Sequence, residues 1–578
     1  MTAPAVAVER RPRAELRVWV VVAVFAAAAV LFFLGNRGAY RGYFSDDDLD
    51  NLVWATADTM QTFTDGLLTP RFSEWNFRPT GGLYYHWLGQ RFGLHYAPYV
   101  AVLQLLHALN AALLFCFLRR LGFSRAGSLA GTLFFAFNAV VLRAWWMPMF
   151  NFDVLCATFT LLTLILYVRG NWIWALLTFW LAYKSKEIAV MMPVALAAWE
   201  FLIGGRRWKR LIPYFAISLS FGLQALLHNR GVPHVSTYSL HFSLNAFRMS
   251  IAFYSSKLLF LPYLGLALLL LPLFIPDKRL VWGLIFACAM LFPLLPLSGR
   301  LLEVYLYAAL IGVAVAAAAL ASRAPIWAVA LFFVFWLPLN YSILREKRRA
   351  IIADGDTRRW FTTSLGSYAK NVPPNIRAVV YDSSPPGMAS WGVEGAIHLV
   401  FGPRVEATWS SGPEANRMLA SPPMLLIGYD PVRHSVRGLL RRRAGLESYL
   451  NFTDELPGYQ FGSGWYGLEG ALRWTQAKAE ISLFRPADAQ SFEIVAEVPS
   501  DSLAHDGPSH VTVYEDGRAL GTATLDHSQP QHLHWKLSEA APGDRRIVIE
   551  ATPVRHAPPD QRAFGIAVHA LGYSTNGN

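Results

Sequence analysis

Long apolar runs separated by short polar segments fill the first 342 residues of the chain. A helix needs roughly 20 apolar residues to cross the hydrocarbon core of a bilayer, and about eleven runs approach that length. They cover residues 17–35, 97–118, 127–143, 152–168, 171–183, 188–203, 211–228, 258–275, 280–297, 302–321 and 325–342. This pattern predicts an α-helical polytopic membrane protein with about eleven transmembrane helices.

Beyond Leu344 the hydrophobic pattern changes, because the apolar runs become too short to span a bilayer. The segments "IRAVVYD" and "PMLLIGYD" have the composition of buried strands, and the apolar "VEGAIHLVF" lies between them. Nearer the C-terminus, short alternating runs separated by turn residues predict a β-sandwich. We therefore expect three domains, namely a transmembrane domain over 1–345 with a long loop at 36–96, an α/β domain over 346–455 and a β-sandwich over 456–578.

The charged residues agree with a membrane protein and predict its orientation. Only 16% of the residues are charged, whereas soluble proteins contain about 25%. Lysine and arginine recur in every second loop, starting from Arg10, Arg11 and Arg13, so the positive-inside rule places the N-terminus in the cytoplasm. An odd number of spans then places the loop at 36–96 and the C-terminal domains outside the cytoplasm. The basic cluster "REKRR" at 345–349 conflicts with this orientation, and we attribute the net charge of +12 to topology and not to nucleic-acid binding.

Acidic residues are concentrated in "YRGYFSDDDLDNL", directly after the first apolar run. Three interpretations of Asp46, Asp47 and Asp48 stay open. The first is a solvated helix start, since Ser45 is a good N-cap and the aspartates would favour the helix dipole. The second is binding of a divalent cation by carboxylate oxygens. The third is acid–base chemistry, in which one aspartate takes a proton from an acceptor hydroxyl while a neighbour orients the substrate or a metal.

Further ionisable residues recur on the same predicted side of the membrane. They are Asp153, Lys184, Lys186, Glu187, Arg300 and Glu303, with Tyr305 beside them. Ionisable residues close to lipid are costly and tend to be functional, and this set could bind a lipid-linked phosphate and activate a hydroxyl. Taken singly, each has a simpler explanation as a snorkelling side chain or a structural ion pair.

Arg78 in the long loop and His107 in the second span form another polar group in an apolar setting. His107 and Asn110 are three residues apart and therefore share a helix face. Interhelical hydrogen bonding is the favoured interpretation for this pair, ahead of metal binding or catalysis.

The three cysteines, Cys116, Cys156 and Cys288, lie within predicted spans and are expected to be small packing residues. No disulfide and no thiolate metal site is predicted. A divalent ion held by carboxylates is left open as a cofactor.

The order of these features resembles the GT-C fold membrane glycosyltransferases, particularly bacterial relatives of the protein O-mannosyltransferases. The resemblance covers about residues 17–342 and rests on six elements in order: "FSDDD", "FRPTGGLYYHWLGQRFG", "LLHALNAALLF", "WWMPMFNFDVL", "YKSKEIAVMMPVAL" and "RLLEVYLYAALIG". The chain departs from the family pattern in two places. It has three consecutive aspartates where the family has an acidic pair, and it has "MPMFNFD" where relatives often have a small residue and an arginine before the aspartate.

The resemblance implies an enzyme of the bacterial inner membrane that transfers a sugar from a polyprenyl-phosphate-linked donor to an extracytoplasmic protein, lipid or polysaccharide. Among residues 46–48, with Asp47 as the first choice, one aspartate would be the general base, and Asp153 would help to position a substrate. Arg78, Lys186 and Arg300 would contact the lipid phosphate, whose negative charge grows as it leaves. The alternative is a non-catalytic cell-envelope protein that assembles or transports glycan and binds lipid-linked glycan on the same scaffold.

Overall fold

The computed structural model of the chain describes residues 16–70, 78–229, 239–258, 263–374, 376–410, 418, 423–441, 445–452, 460–556, 560 and 562–575. Arg10, Arg11 and Arg13, from which the predicted orientation starts, lie outside the described residues. The chain divides into two compact units. The helical unit comprises Met1–Phe44 and Trp54–Ala353, and the C-terminal unit comprises Ser45–Val53 and Asp354–Asn578.

Helices account for nearly all of the regular structure before residue 370. They are α1 Val18–Asn36, α2 Asp46–Ala57, α3 Met60–Leu68, α4 Pro79–Phe92, α5 Tyr96–Arg120, α6 Arg125–Ala136, α7 Arg143–Trp146, α8 Asn151–Val168, α9 Trp172–Ser185, α10 Met192–Leu202, α11 Ile212–Asn229, α12 Leu244–Leu258, α13 Leu264–Ala267, α14 Leu271–Phe274, α15 Lys278–Leu291, α16 Leu306–Ala321 and α17 Ile326–Ala369. Short 3₁₀ turns adjoin several of them, including Arg37–Arg41, Glu187–Met191 and Glu303–Tyr305.

Within the described residues, five helical stretches are long and apolar enough to cross a membrane, which identifies a membrane protein. They are Val18–Arg41, Tyr96–Arg120, Pro148–Val168, Glu303–Ala321 and Ile326–Ala369. The predicted count of eleven spans is not confirmed. Other apolar runs form shorter helices, such as the 11 residues of α10 and the helical stretch Leu264–Phe274.

Close backbone contact between α15 and α16 depends on glycine. A Cβ atom added at Gly312 would lie 2.2 Å from the carbonyl oxygen of Gly283, and one added at Gly283 would lie 2.7 Å from that of Gly312. Small residues allow helix backbones to approach in this way when no hydrophobic effect drives association within lipid. In α16, 83% of the apolar window is buried inside the protein, compared with 11% in α1 and in α17.

Helix α17 is 44 residues long, which corresponds to about 66 Å at 1.5 Å per residue. That is about twice the roughly 30 Å of a bilayer core. The domain boundary that we predicted at residue 345 therefore lies inside a continuous helix, while the two compact units divide between Ala353 and Asp354.

The C-terminal unit begins with a four-stranded sheet and one helix. The strands are β1 Ala378–Tyr381, β2 Glu406–Trp409, β3 Met424–Asp430 and β4 Ser435–Arg441, and α18 Ser390–Phe401 follows β1. In the order β2-β1-β3-β4, the first three strands are parallel and β4 is antiparallel to β3. This arrangement agrees with the α/β unit predicted from the two apolar strand segments.

Two antiparallel sheets follow. Their elements are β5 Tyr449–Asn451, β6 Trp465–Glu469, β7 Leu472–Thr475, β8 Lys478–Arg485, β9 Ala489–Glu497, α19 Ser500–Asp506, β10 Ser509–Glu515, β11 Arg518–Leu525, β12 Gln531–Lys536, β13 Gly543–Thr552, β14 Arg555–His556, β15 Ala563–Phe564 and β16 Ala567–Thr575. One sheet has the order β11-β10-β13-β8, and the other has the order β12-β9-β16-β7-β6 with β5 paired to β16. Inward residues such as Ile481, Ile494, Val511 and Leu571 form one buried core, so the region is a β-sandwich.

Candidate functional site

The predicted site residues fall into two sets, one in each compact unit. Asp46, Asp47 and Asp48 belong to the segment that groups with the C-terminal unit, and the other candidates belong to the helical unit.

The Asp48 side chain caps the N-terminus of α2. Its Oδ2 atom accepts hydrogen bonds from the backbone nitrogen and the hydroxyl of Ser45, both at 2.7 Å. In return the backbone nitrogen of Asp48 donates to the Ser45 hydroxyl at 3.4 Å. This is a capping box with aspartate in place of the usual glutamate, and the Asp48 side chain is fully buried. The helix-start interpretation therefore describes Asp48.

Asp46 forms an ion pair far along the chain. Arg358 of α17 donates from Nε and Nη2 to the two carboxylate oxygens at 2.8 and 2.9 Å. The backbone nitrogen of Ala389 also donates to Oδ2 at 3.2 Å. Gly392 of α18 packs against the same carboxylate, since a Cβ atom there would lie 2.5 Å from Oδ1. Asp46 thus connects α2, α17 and α18 within the C-terminal unit.

Asp47 has a different environment from its two neighbours. The indole nitrogen of Trp391 donates to its Oδ1 atom at 2.9 Å, so this partner is neutral. The adjacent Asp50 has a pKa raised by burial and by the negative charge of Asp47. Asp47 thus differs from Asp46, whose carboxylate is held in a bidentate ion pair, and from Asp48, whose carboxylate caps α2.

In the helical unit, Asp153 and Lys186 form a buried ion pair. Lys186 Nζ lies 2.6 Å from each carboxylate oxygen, and the two side chains are only 6% and 11% exposed. Asp153 is in the first turn of α8, where negative charge suits the helix dipole. Lys186 Nζ also lies 4.4 Å from the centre of the Tyr305 ring, a cation–π contact. Tyr305 in turn accepts a hydrogen bond from Arg300 Nε at 3.0 Å.

A second ion pair joins Arg78 and Glu187, and Glu187 follows Lys186 directly in the sequence. Arg78, immediately before Pro79 at the first position of α4, donates from Nε and Nη2 to the carboxylate of Glu187 at 2.8 and 3.0 Å. Burial alone would raise the pKa of Glu187, but the charge and hydrogen bonds of Arg78 outweigh burial and hold that pKa below its ordinary value. The Arg78 guanidinium lies 5.4 Å from the ring centre of Phe152, the neighbour of Asp153.

Glu303 and Lys184 complete this set, which we call the charge cluster. Glu303 contacts Lys257 Nζ at 2.9 Å and also accepts from Lys347 of α17. Lys184 donates to the backbone carbonyl of Thr69 at 2.5 Å. The members of the charge cluster are Arg78, Asp153, Lys184, Lys186, Glu187, Lys257, Arg300, Glu303, Tyr305 and Lys347. Four of its six cations contact its three carboxylates: Arg78 contacts Glu187, Lys186 contacts Asp153, and both Lys257 and Lys347 contact Glu303.

His107 packs inside the helical bundle and lies outside the charge cluster. Its Nδ1 atom is 2.7 Å from the hydroxyl of Tyr307, and its Nε2 atom is 3.1 Å from the carbonyl of Ala136. Its ring stacks on Trp145 with centroids 4.2 Å apart. Asn110 donates to the same Tyr307 hydroxyl at 3.2 Å. Both ring nitrogens have protein partners, which is the geometry of interhelical hydrogen bonding.

An apolar groove of about 1290 Å³ runs between α1, the end of α6 and α17. Its apolar lining includes Leu31, Phe32, Leu133, Phe137 and Leu344. The volume exceeds the roughly 300–1,000 Å³ of sites for drug-sized ligands.

One part of the groove lining is polar and basic, with Asn36, Arg37, Arg41 and Arg348. Arg348 donates to the Asn36 side-chain oxygen at 3.2 Å, and its guanidinium lies 5.4 Å from the ring centre of Trp146. Its Nε atom is buried with no hydrogen-bond partner among the described residues. The groove thus combines an apolar lining with an arginine, Arg348, whose Nε–H has no hydrogen-bond partner among the described residues.

The sequence alone did not indicate Arg348 or Arg358 as site residues. Arg348 belongs to "REKRR" at 345–349, where the conflict with the positive-inside rule was the available signal. Lys347 of the same cluster contacts Glu303. Arg358 carries no comparable local signal, because its partner Asp46 is 312 positions away in the sequence.

No protein-family model and no curated protein matches the sequence. Among solved structures, the chain is similar to ArnT from Cupriavidus metallidurans bound to undecaprenyl phosphate, with 12% identity and a TM-score of 0.42. That alignment covers 72% of this chain and 94% of the ArnT chain.

Two mycobacterial structures align over nearly the whole chain. The arabinofuranosyltransferase AftD from mycobacteria is 12% identical with a TM-score of 0.38, over 98% of this chain and 62% of its own. The arabinosyltransferase EmbB from Mycobacterium smegmatis is 13% identical with a TM-score of 0.33, over 99% of this chain and 66% of its own. Identities and TM-scores this low transfer neither substrates nor catalytic residues to the present chain.

Proposed function

We propose that this membrane protein is a glycosyltransferase that moves a sugar from a polyprenyl-phosphate-linked donor to an acceptor hydroxyl. The observation that carries the proposal is the charge cluster, in which three carboxylates of the helical unit are each held in an ion pair with lysine or arginine. Charged groups near lipid are retained at a cost in stability, so an arrangement of this size indicates a function. The donor's phosphate is the leaving group, and fixed cations stabilise the negative charge that it gains.

Arg300 is the first candidate to contact that phosphate. Arg300 donates from Nε to the Tyr305 hydroxyl at 3.0 Å, and the same Tyr305 ring lies 4.4 Å from Lys186 Nζ, so Tyr305 connects Arg300 to the Asp153–Lys186 pair. The bidentate geometry of a guanidinium also suits phosphate oxygens. Asp153, oriented by Lys186, is proposed to position a substrate hydroxyl.

The groove is proposed to hold the polyprenyl chain. Its lining is apolar over most of its length, and its basic part with Arg348 suits an anionic headgroup. In the C-terminal unit, Asp47 is proposed as the general base, which takes the proton of the acceptor hydroxyl as the oxygen attacks the anomeric carbon in a single displacement. The proposed location is the bacterial inner membrane, with the C-terminal unit outside the cytoplasm.

The test uses the full chain in nanodiscs with a panel of synthetic polyprenyl-phosphate sugars and a cell-envelope extract as acceptor. Release of polyprenyl phosphate and sugar incorporation are both measured. Asp47→Asn is expected to lower the rate at least 100-fold with little change in donor binding, because a positioned base contributes about 10²–10⁴-fold. Asp65→Asn, an exposed carboxylate in the same loop, is the matched control and should keep the wild-type rate.

The activities of the aspartate variants can contradict both the base assignment and the proposed mechanism. Full activity in Asp46→Asn, Asp47→Asn and Asp48→Asn taken singly would exclude the base assignment, and full activity in the triple variant would exclude this mechanism altogether. The second candidate, a non-catalytic protein that binds lipid-linked glycan, is favoured by the ion pairing of Asp46 and Asp153. Saturable donor binding with no release of polyprenyl phosphate for any donor would support that candidate instead.

A further inference from the structure

Two histidines and a glutamate meet on the outer face of the β-sandwich, in a part of the chain that the proposed glycosyl transfer does not use. Strand β12 lies at the edge of its sheet and pairs with β9 in antiparallel register, which places His534 opposite Glu493. Along β12, Leu533 and Trp535 point into the core, while His532 and His534 are exposed. The alternation of a strand therefore brings both imidazoles to the face that carries Glu493.

The ligand atoms of these three residues are already close. The Nδ1 atom of His532 contacts Oε1 of Glu493, and the Nε2 atom of His534 lies 3.9 Å from the same oxygen. One ligand atom from each residue lies within 4.8 Å of the other two. The two imidazole rings are nearly parallel, with an interplanar angle of 19° and centroids 6.3 Å apart.

This set of donors has the chemistry of a transition-metal site. Two imidazole nitrogens and one carboxylate oxygen suit Zn²⁺, which binds such atoms at about 2.0–2.2 Å. In a tetrahedral complex the ligand atoms would be about 3.4 Å apart, so small side-chain rotations bring the observed separations to that value. Three protein ligands leave the fourth position to water. The two strands do not need a metal to pair, since β12 and β9 form an antiparallel ladder and Glu493 and His532 are hydrogen-bonded to each other.

We infer that Glu493, His532 and His534 bind a Zn²⁺ ion that ties edge strand β12 to β9. An edge strand has one side without a neighbouring strand, so it opens more easily than the interior of a sheet. A metal coordinated by both strands adds its binding free energy to the closed state. The site is thus a clamp on the exposed edge of the sandwich.

The experiment uses the full chain in nanodiscs, purified with an affinity tag that contains no histidine. Competition with a chromophoric chelator measures Zn²⁺ affinity and stoichiometry. Wild type is expected to bind one Zn²⁺ that His534→Ala or Glu493→Gln weakens at least tenfold, because each removes one of three ligands. His510→Ala is the matched control, since His510 is an exposed histidine on β10 of the other sheet, and it should bind as wild type does.

Hydrogen exchange provides the second readout and reports on the clamp directly. Saturating Zn²⁺ should slow amide exchange across residues 531–536 in wild type and in His510→Ala, but not in His534→Ala or Glu493→Gln. Equal exchange rates of all four proteins without metal would show that each variant is folded at this edge. The inference is overturned if Glu493→Gln and His534→Ala bind Zn²⁺ as tightly as wild type. If wild type binds Zn²⁺ but amide exchange across residues 531–536 is not slowed, the inference that the metal ties β12 to β9 is wrong.

Discussion

The ion pair of Asp153 and Lys186 allows a quantitative prediction about what a buried charge costs when its partner is removed. Both side chains are nearly inaccessible, and the pair has two contacts of 2.6 Å. Removing one member of a buried pair costs about 3–5 kcal/mol because the other charge is left without a partner. Lys186→Met should therefore destabilise the helical unit by about 3–5 kcal/mol.

The reverse change should cost less. In Asp153→Asn the ammonium of Lys186 keeps its contact with the Tyr305 ring, 4.4 Å from the centroid, which retains about 1 kcal/mol. We expect Asp153→Asn to cost about 2–4 kcal/mol, and the double variant Asp153→Asn/Lys186→Met to cost only about 0–2 kcal/mol because no unpaired charge remains. The coupling energy of the double-mutant cycle is then about 3 kcal/mol or more.

The assay is urea unfolding of the full chain in a mild detergent, followed by the fluorescence of its 20 tryptophans. Lys257→Met is the control, since Lys257 is 41% exposed and Glu303 keeps Lys347 as a partner. It should cost no more than about 1 kcal/mol. If the double variant is as unstable as the two single variants added together, the two charges are not coupled and the reasoning from a buried pair is wrong.

Three further predictions concern other contacts. Gly312→Ala should destabilise the helical unit by about 1–3 kcal/mol through overpacking at the α15–α16 crossing, whereas Gly222→Ala, with no atom within 4 Å of the added carbon, should be neutral or stabilising in urea unfolding. Asp46→Asn should weaken the attachment of α18 by about 1–3 kcal/mol, measured as faster amide exchange in that helix, and unchanged exchange would contradict the assigned ion pair. The lowered pKa of Glu187 means that its pair with Arg78 stabilises the fold above about pH 4.3 and that this contribution is lost as the pH falls through the folded-state pKa. Wild type should therefore lose more stability between about pH 5 and pH 3 than the double variant Arg78→Met/Glu187→Gln, and parallel curves would contradict the depressed pKa.

Local signals in the sequence predicted the elements of this fold well. Apolar length placed a helix within each of the eleven runs, and strand alternation identified the β-sandwich, because both signals depend on neighbouring residues. The same signals gave eleven spans, a count that is not confirmed, since five helical stretches among the described residues are long and apolar enough to cross a membrane. They also placed a boundary at residue 345, inside α17, because the loss of apolar character there does not end the helix.

The contacts between individual side chains were harder to predict than the helices and strands. The charges at Asp153 and Lys186 were recognised as candidates, but their mutual pairing depends on how α8 packs against the end of α9. Asp46, Asp47 and Asp48 are indistinguishable in sequence. In the structure, however, Asp46 pairs with an arginine, Asp47 accepts a hydrogen bond from an indole, and Asp48 caps a helix. These differences come from residues such as Arg358 and Trp391, which are more than 300 positions away. No periodicity or composition signal reaches that far.

The ion pair between Asp46 and Arg358 also has a consequence for the order of events during protein synthesis. The ribosome makes Asp46 first and adds 312 further residues before it reaches Arg358. At about 5–20 residues per second, the aspartates wait about 15–60 s for the arginine. During that interval the nascent chain carries Asp46 without this counter-charge while later helices enter the membrane. The start of α2 can therefore form its ion pair with Arg358 only after about three fifths of the 578 residues have been synthesised.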